Sequence, residues 1–333
     1  MNKINKYIFA LLLFSVLIIA SCTNNQKSDK EKDTASYQSK TPKGITLTPK
    51  SFGQEEFTYF FEKSRNFNIV AWYGDWNELS NLEKGGPVVV NGLSSKYDYM
   101  PLIIVQFFTQ DNGKLLRPLD ETTIDNYKNY LGNFAEKYKP EYLGIGIEIN
   151  VLYEKSPADF ERFVKLFDES YDLIKTKSPD TKVFTVFQLE KMKGLNGGLF
   201  GGTNDQTKNQ WSLIGQFQKS DIIAFTTYPD LVYKNPEEIP ADYYDEIKMY
   251  ASKPIVFTEI GWHTANSPKG WESSEDEQAE FVKKFFDLTK DLNKEFIIWS
   301  FMYDQKTIEP FNSMGLIDSN TGNDKKSFNE WAN

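Results

Sequence analysis

The 333-residue chain has one cysteine and one histidine. A lone thiol closes no disulfide within the chain. One imidazole and one thiol cannot build a zinc site of the ordinary type. A serine or cysteine triad also lacks its parts, because His263 has no G-x-S-x-G partner. Positive charge is scarce: 38 Lys and Arg stand against 47 Asp and Glu, a formal net charge of −9. That balance disfavours nucleic acid and anionic lipid as partners and suits a neutral ligand. No Gly-rich phosphate loop follows an early strand. The stretch Gly194–Gly202 has no Lys-Ser/Thr after it, so it reads as a flexible loop and not as a phosphate cradle. An oxygen-ligated calcium site stays open, but no metal and no cofactor is expected.

Aromatic residues are plentiful at 15%, with 7 Trp, 18 Tyr and 26 Phe, which predicts a large aromatic core. At the N-terminus Lys3 and Lys6 precede an apolar run from Tyr7 to Ala20, followed by Ile19-Ala20-Ser21-Cys22. This pattern resembles a bacterial lipoprotein signal. The resemblance implies removal of residues 1–21, lipidation of Cys22 and residence in the bacterial cell envelope, periplasmic or surface-exposed. The membrane would then be met only through the lipid anchor. A plain secretory signal is the alternative. The run is too short for a stable membrane span. Loss of Lys3 and Lys6 with the signal takes the net charge from −9 to −11. Residues 22–43 are polar and lack an apolar period, the signature of a disordered tether. Residues 44–333 form the expected single domain, taken to be monomeric.

Within that domain short apolar runs alternate with amphipathic stretches. The predicted strands are Ile45–Leu47, Ile69–Tyr73, Leu102–Phe107, Tyr142–Glu148, Val183–Phe187, Ile222–Thr226, Pro254–Thr258 and Phe296–Phe301. Helices are signalled between them. Ser156-Pro157-Ala158-Asp159 opens one with an N-cap, a proline and an acid. Ser274 with Glu277 forms a capping box for another, and Ile124, Tyr127, Leu131, Phe134 and Tyr138 trace a third apolar stripe. Strand–helix alternation on this scale predicts a single (β/α)8 barrel, with an open doubly wound sheet as the weaker alternative. Gly85-Gly86-Pro87 and Val88-Val89-Val90 fit either an extra strand or a loop.

Two strand-like runs end in glutamate: Leu143-Gly144-Ile145-Gly146-Ile147-Glu148 and Pro254-Ile255-Val256-Phe257-Thr258-Glu259. They are the fourth and seventh predicted strands. Side chains alternate along a strand, so Gly144, Gly146 and Glu148 are expected on one face, and Ile255, Phe257 and Glu259 on one face of the other. Barrel enzymes carry their reacting groups at the C-terminal ends of strands. Two carboxylates facing each other there are what glycoside hydrolysis requires.

From about Ile45 to Trp331 the chain resembles clan A of the glycoside hydrolases. Thr258-Glu259-Ile260-Gly261-Trp262 is most similar to the nucleophile strand of the family 53 arabinogalactan endo-β-1,4-galactanases. Thr226-Thr227-Tyr228-Pro229 resembles the stretch whose tyrosine hydrogen-bonds the nucleophile. Trp299 resembles the aromatic floor under the sugar that is cleaved. The resemblance implies Glu259 as nucleophile, Glu148 as acid/base, and retaining hydrolysis of a neutral β-linked poly- or oligosaccharide, a galactan first. It also departs from the clan: Ile147 stands where an asparagine usually precedes the acid/base, and Asn150 follows two residues after it. Either Asn150 substitutes for that asparagine from the following loop, or the donor comes from elsewhere. The departure favours a rival reading, a lipid-anchored carbohydrate-binding barrel without turnover. Further substrate contacts are expected from Trp72, Asp75 and Trp76 after the second strand, from Gln188 and Glu190 after the fifth, and from His263. Core packing is the alternative for the two tryptophans, helix capping for Asp75, and an ordinary loop position for His263.

Overall fold

The structure, a computed structural model, describes residues 41–268 and 270–333. The signal segment, Cys22 and the tether as far as residue 40 lie outside the described residues. The first half of the barrel comprises β1 (Lys43–Thr46), α1 (Gln54–Ser64), β2 (Ile69–Asp75), α2 (Gly86–Tyr97), β3 (Met100–Gln106), α3 (Glu121–Tyr138), β4 (Tyr142–Ile145), α4 (Ile149–Lys155) and α5 (Pro157–Lys177). The second comprises β5 (Lys182–Phe184), β6 (Val186–Gln188), α6 (Leu189–Met192), β7 (Ile223–Thr227), α7 (Glu246–Tyr250), β8 (Ile255–Ile260), α8 (Glu275–Leu288), β9 (Lys294–Trp299) and α9 (Lys326–Ala332).

The strands run in the order β5-β4-β3-β2-β1-β9-β8-β7-β6, and every neighbouring pair is parallel. The two ends of that order, β5 and β6, are separated in sequence by Thr185 alone. They are one barrel strand with a break, the fifth predicted from sequence, and the ring closes through it. This is a (β/α)8-type barrel. The valine run after Gly86 is neither strand nor loop. It lies in α2, with Pro87 in the first helical turn, where a missing N–H costs nothing. Ser274 caps α8 by accepting the Glu277 N–H at 3.2 Å. Ser156 does not cap α5 in this way; its hydroxyl donates to the Asp159 carboxylate at 2.8 Å.

Alternation divides the core into two layers. Ile69, Ala71, Leu102, Ile104, Ala224, Val256, Phe296 and Ile298 pack with one another inside the barrel. Val70, Trp72, Ile103, Val105, Phe225, Phe257, Ile297 and Trp299 pack outward, in the layer shared with the helices. Each large apolar side chain contributes about 1.5–3 kcal/mol by leaving water.

At the C-terminal ends of two strands the alternation fails. Phe225 pairs with Phe257, but Thr226 pairs with Glu259, so Thr258 is an extra residue on β8. A bulge of this kind re-aims the next side chain. Ile255 and Phe257 therefore pack toward the helices while Glu259 lines the cleft. In β4 the break comes at Gly146, whose φ of 111° is open only to glycine at low cost. Ile147 then packs inside the barrel, and Glu148 takes a left-handed backbone, φ 52° and ψ 43°. The expected same-face column of Gly144, Gly146 and Glu148 is thus interrupted.

Candidate active site

Glu148 and Glu259 line one cleft of about 800 Å³ at the C-terminal mouth of the barrel, a volume typical of small-ligand sites. Thr226, on the strand between them, donates to Glu148 Oε1 at 2.7 Å. The Tyr228 hydroxyl donates to Glu259 Oε2 at 2.5 Å and lies 2.7 Å from Ser300 Oγ. The Tyr73 hydroxyl donates to the carbonyl of Thr258, the bulged residue, so the backbone kink that aims Glu259 has a partner across the barrel.

The two carboxyls differ in environment. Burial raises Glu148 from 4.5 to about 8, the charge of Glu259 adds to the rise, and the Thr226 bond opposes it. Burial raises Glu259 from 4.5 to about 7, opposed by the bond from Tyr228. Both carboxyls are thus raised, and the charge of one holds the proton on the other. Two carboxyls linked in this way are suited to base or nucleophile on one side and acid on the other.

Behind them lies a third acid that sequence reading left as a candidate substrate contact. Glu190 is fully buried and accepts from Thr227 Oγ1 at 2.9 Å, the Tyr228 N–H at 3.1 Å and the Tyr243 hydroxyl at 2.9 Å on one oxygen, and from Gln188 Nε2 at 2.7 Å on the other. Its role is to fix the backbone of Tyr228 and the side chain of Gln188, and Gln188 lines the cleft.

Other candidate residues are placed elsewhere. Trp299 is fully buried in the outer layer against Phe281 and Trp331, and its Nε1–H donates to the Met314 carbonyl at 2.9 Å. The residue that faces the cleft at this strand is Phe301. Trp72 packs outward against Gly74 and Gly86. Trp76 is buried against Tyr127 and Tyr130. Asp75 caps the following turn through the Asn77 N–H at 2.9 Å and binds Arg117 with both oxygens, at 2.7 and 2.9 Å. Asn150 is buried: its amide donates to the Gln188 carbonyl at 3.1 Å and to Gln210 Oε1 at 2.8 Å, and its oxygen accepts the Gln188 N–H at 2.8 Å. His263 is buried too, with Nδ1 2.9 Å from Asp230 Oδ2 and Nε2 3.3 Å from the Trp271 carbonyl.

Tyr73, Gln106, Gln110 and Phe311, none of them singled out from sequence, line the cleft. Tyr73 and Gln106 were findable: each continues the inward column of its strand, after Ile69 and Ala71 or after Leu102 and Ile104. Gln110 and Phe311 come from loops, where no period applies. Among the described residues no group of three or more His, Cys, Asp and Glu is arranged to hold a metal ion.

Solved structures share this fold. A family 39 glycoside hydrolase from the gut symbiont Bacteroides cellulosilyticus WH2 superimposes with a TM-score of 0.59 at 16% identity, over 88% of this chain and 63% of that one. An exo-β-1,4-mannosidase from Opitutaceae bacterium strain TAV5 gives 0.62 at 14% identity, over 88% and 58%. A family 5 subfamily 18 protein from Streptomyces cattleya in complex with Manβ1-4GlcNAc gives 0.63 at 13% identity, over 88% and 79%. The chain thus spans less than two thirds of the first two. At these identities the likeness is one of fold. No protein-family model and no curated protein sequence matches the chain.

Proposed function

We propose that this protein is a retaining glycoside hydrolase acting on a neutral β-linked oligo- or polysaccharide, with a galactan as first candidate. One observation carries the reading: two buried carboxyls on a single cleft, Glu148 held by Thr226 and Glu259 by Tyr228, both raised by burial. The glycoside hydrolase fold of the neighbouring structures supports it, and the motif around Glu259 supports the galactanase-like choice of substrate. In the first step a Glu259 oxygen attacks the anomeric carbon. The glycosidic C–O bond breaks and the Glu148 proton passes to the leaving oxygen. In the second, Glu148 takes a proton from water, whose oxygen displaces Glu259 from the anomeric carbon and restores the β configuration.

The rival reading, a binding barrel without turnover, draws on Ile147 in place of an asparagine and on the internal bonding of Asn150. The readings separate by assay. On aryl β-glycosides and purified glycans, wild type is expected to turn over and Glu259→Ala to be inactive. Glu148→Ala is expected to lose about 10²–10⁴-fold and to be partly rescued by azide when the leaving group is good. Proton NMR of the first product is expected to show the β anomer; an α product would refute retention. Glycan binding by wild type with no hydrolysis of any substrate would favour the rival.

For location, we propose lipid anchoring to the bacterial envelope through Cys22, on the sequence pattern alone. Labelling with a radioactive fatty acid that is lost in Cys22→Ala tests it.

A further inference from the structure

The cleft has two unlike walls, one beside each of the two carboxyls. The wall beside Glu259 is built on Tyr228. Leu199, Phe200, Phe301 and Phe311 pack with Tyr228, Leu231 and Met314 into one apolar cluster, and the Phe311 ring meets the Tyr228 ring edge-on at 5.3 Å. Exposed Ile308 extends this wall at the rim. Its own charge besides Glu259 is acidic Glu309, and Lys191 reaches its edge at Phe200. The hydroxyl of Tyr228 is engaged with Glu259, and that of Tyr73 with the Thr258 carbonyl.

The wall beside Glu148 is polar. Gln110 Nε2 lies 3.5 Å from the Ile147 carbonyl, and Gln106 Nε2 donates to Gln110 Oε1 at 2.6 Å. Lys191 bonds Glu154 at 2.7 Å and Asn196 at 3.1 Å. The Lys191 ammonium stands 5.3 Å from the Phe200 ring centre, where the two walls meet.

The anomeric carbon must reach Glu259 and the leaving oxygen must reach Glu148. Resting on the hydrolase reading above, we propose that the glycone rests on the first wall and the leaving group on the second, so that the site takes a neutral β-glycoside whose glycone is read through its hydrocarbon surface, as a 6-deoxyhexose is, and whose leaving group is a hydroxyl-rich sugar. The physical ground is asymmetric discrimination. A site that hydrogen-bonds a hydroxyl rejects the analogue lacking it by about 10⁴–10⁵, whereas an apolar wall separates such analogues by only about 10–200-fold. An anionic glycone would meet Glu259 and Glu309, and Lys191 at the wall's edge is already paired with Glu154 at 2.7 Å.

The test compares 4-nitrophenyl β-D-galactoside, its 6-deoxy analogue β-D-fucoside, and β-D-glucuronide on wild-type protein. The fucoside is expected to match or exceed the galactoside in kcat/KM, and the glucuronide to fall at least 100-fold below both. Turnover in the reverse order, galactoside 100-fold above fucoside or glucuronide best, overturns this inference and leaves the hydrolase reading standing. No turnover of these or of any β-linked oligosaccharide overturns both. For the second wall, Gln110→Ala is expected to lower kcat/KM at least about 5-fold more on a β-linked disaccharide than on the aryl fucoside. Equal losses on both substrates would overturn the leaving-group assignment.

Discussion

Thr226 holds Glu148 through a 2.7 Å hydrogen bond from a strand position that is itself paired, across the β7–β8 ladder, with Glu259. One residue thus fixes the proposed acid and neighbours the proposed nucleophile. Its bond stabilises the charged form of Glu148 and lowers a pKa that burial has raised. In Thr226→Val the bond is lost at similar volume, so the Glu148 pKa rises further. The acid must be protonated to act. The alkaline limb of kcat/KM against pH is therefore expected to move up by about 0.5–1 pH unit, with the acid limb unmoved. An alkaline limb that stays in place would remove Glu148 from the acid role.

Tyr228 works on the other limb. Its bond to Glu259 lowers that carboxyl against the effect of burial. Tyr228→Phe raises the Glu259 pKa, and the nucleophile must be ionised. The acid limb is expected to move toward alkaline pH, which narrows the active range from below, and kcat is expected to fall about 10- to 100-fold, the worth of a charge-assisted bond. A loss expressed in KM alone would count against it.

The same burial has a stability consequence. Glu148 and Glu259 titrate at about 8 and about 7 in the fold, against an ordinary 4.5. The folded state therefore binds more protons than the unfolded chain between these values, and stability falls as pH rises from about 4.5 through 8. Glu148→Gln keeps the shape and removes the charge. It is expected to resist denaturant better than wild type at pH 8, by on the order of 2–4 kcal/mol, with the gap closing near pH 4.5. Equal stability at both pH values would place Glu148 in a more solvated setting.

The barrel was legible in the sequence because its strands carry short apolar runs and its helices carry apolar stripes, both of which are local. Both glutamates were legible as strand-end residues. What placed them was not. The bulge at Thr258 is visible only in the pairing of β8 with β7, and the turn at Gly146 depends on a backbone angle. Trp299 shows the cost of reading a motif over a period. Phe296 and Ile298 fix the inward column of β9, so Trp299 must face the helices. Trp72 fails as a platform for the same reason, being outward between Ala71 and Tyr73. His263 and Asn150 needed the third dimension, because their partners Asp230, Gln188 and Gln210 lie 33 to 60 residues away.

Asn150 allows the sharpest separation of structure from substrate binding. If it replaced the asparagine missing at Ile147, its amide would face the sugar 2-hydroxyl. Instead it bonds the Gln188 carbonyl and N–H and the Gln210 side chain, inside the protein. Asn150→Ala leaves those buried groups without partners, each costing about 1–3 kcal/mol, so the midpoint of denaturation is expected to fall clearly. Gln188 would loosen and activity would drop with it. That drop alone would not distinguish the roles, but a pair of substrates does. A residue touching the 2-hydroxyl penalises the normal glycoside and spares its 2-deoxy analogue. A residue acting through Gln188 penalises both equally. Equal fold-losses in kcat/KM on an aryl β-glycoside and its 2-deoxy counterpart are expected. A loss confined to the 2-hydroxylated substrate would return Asn150 to the sugar.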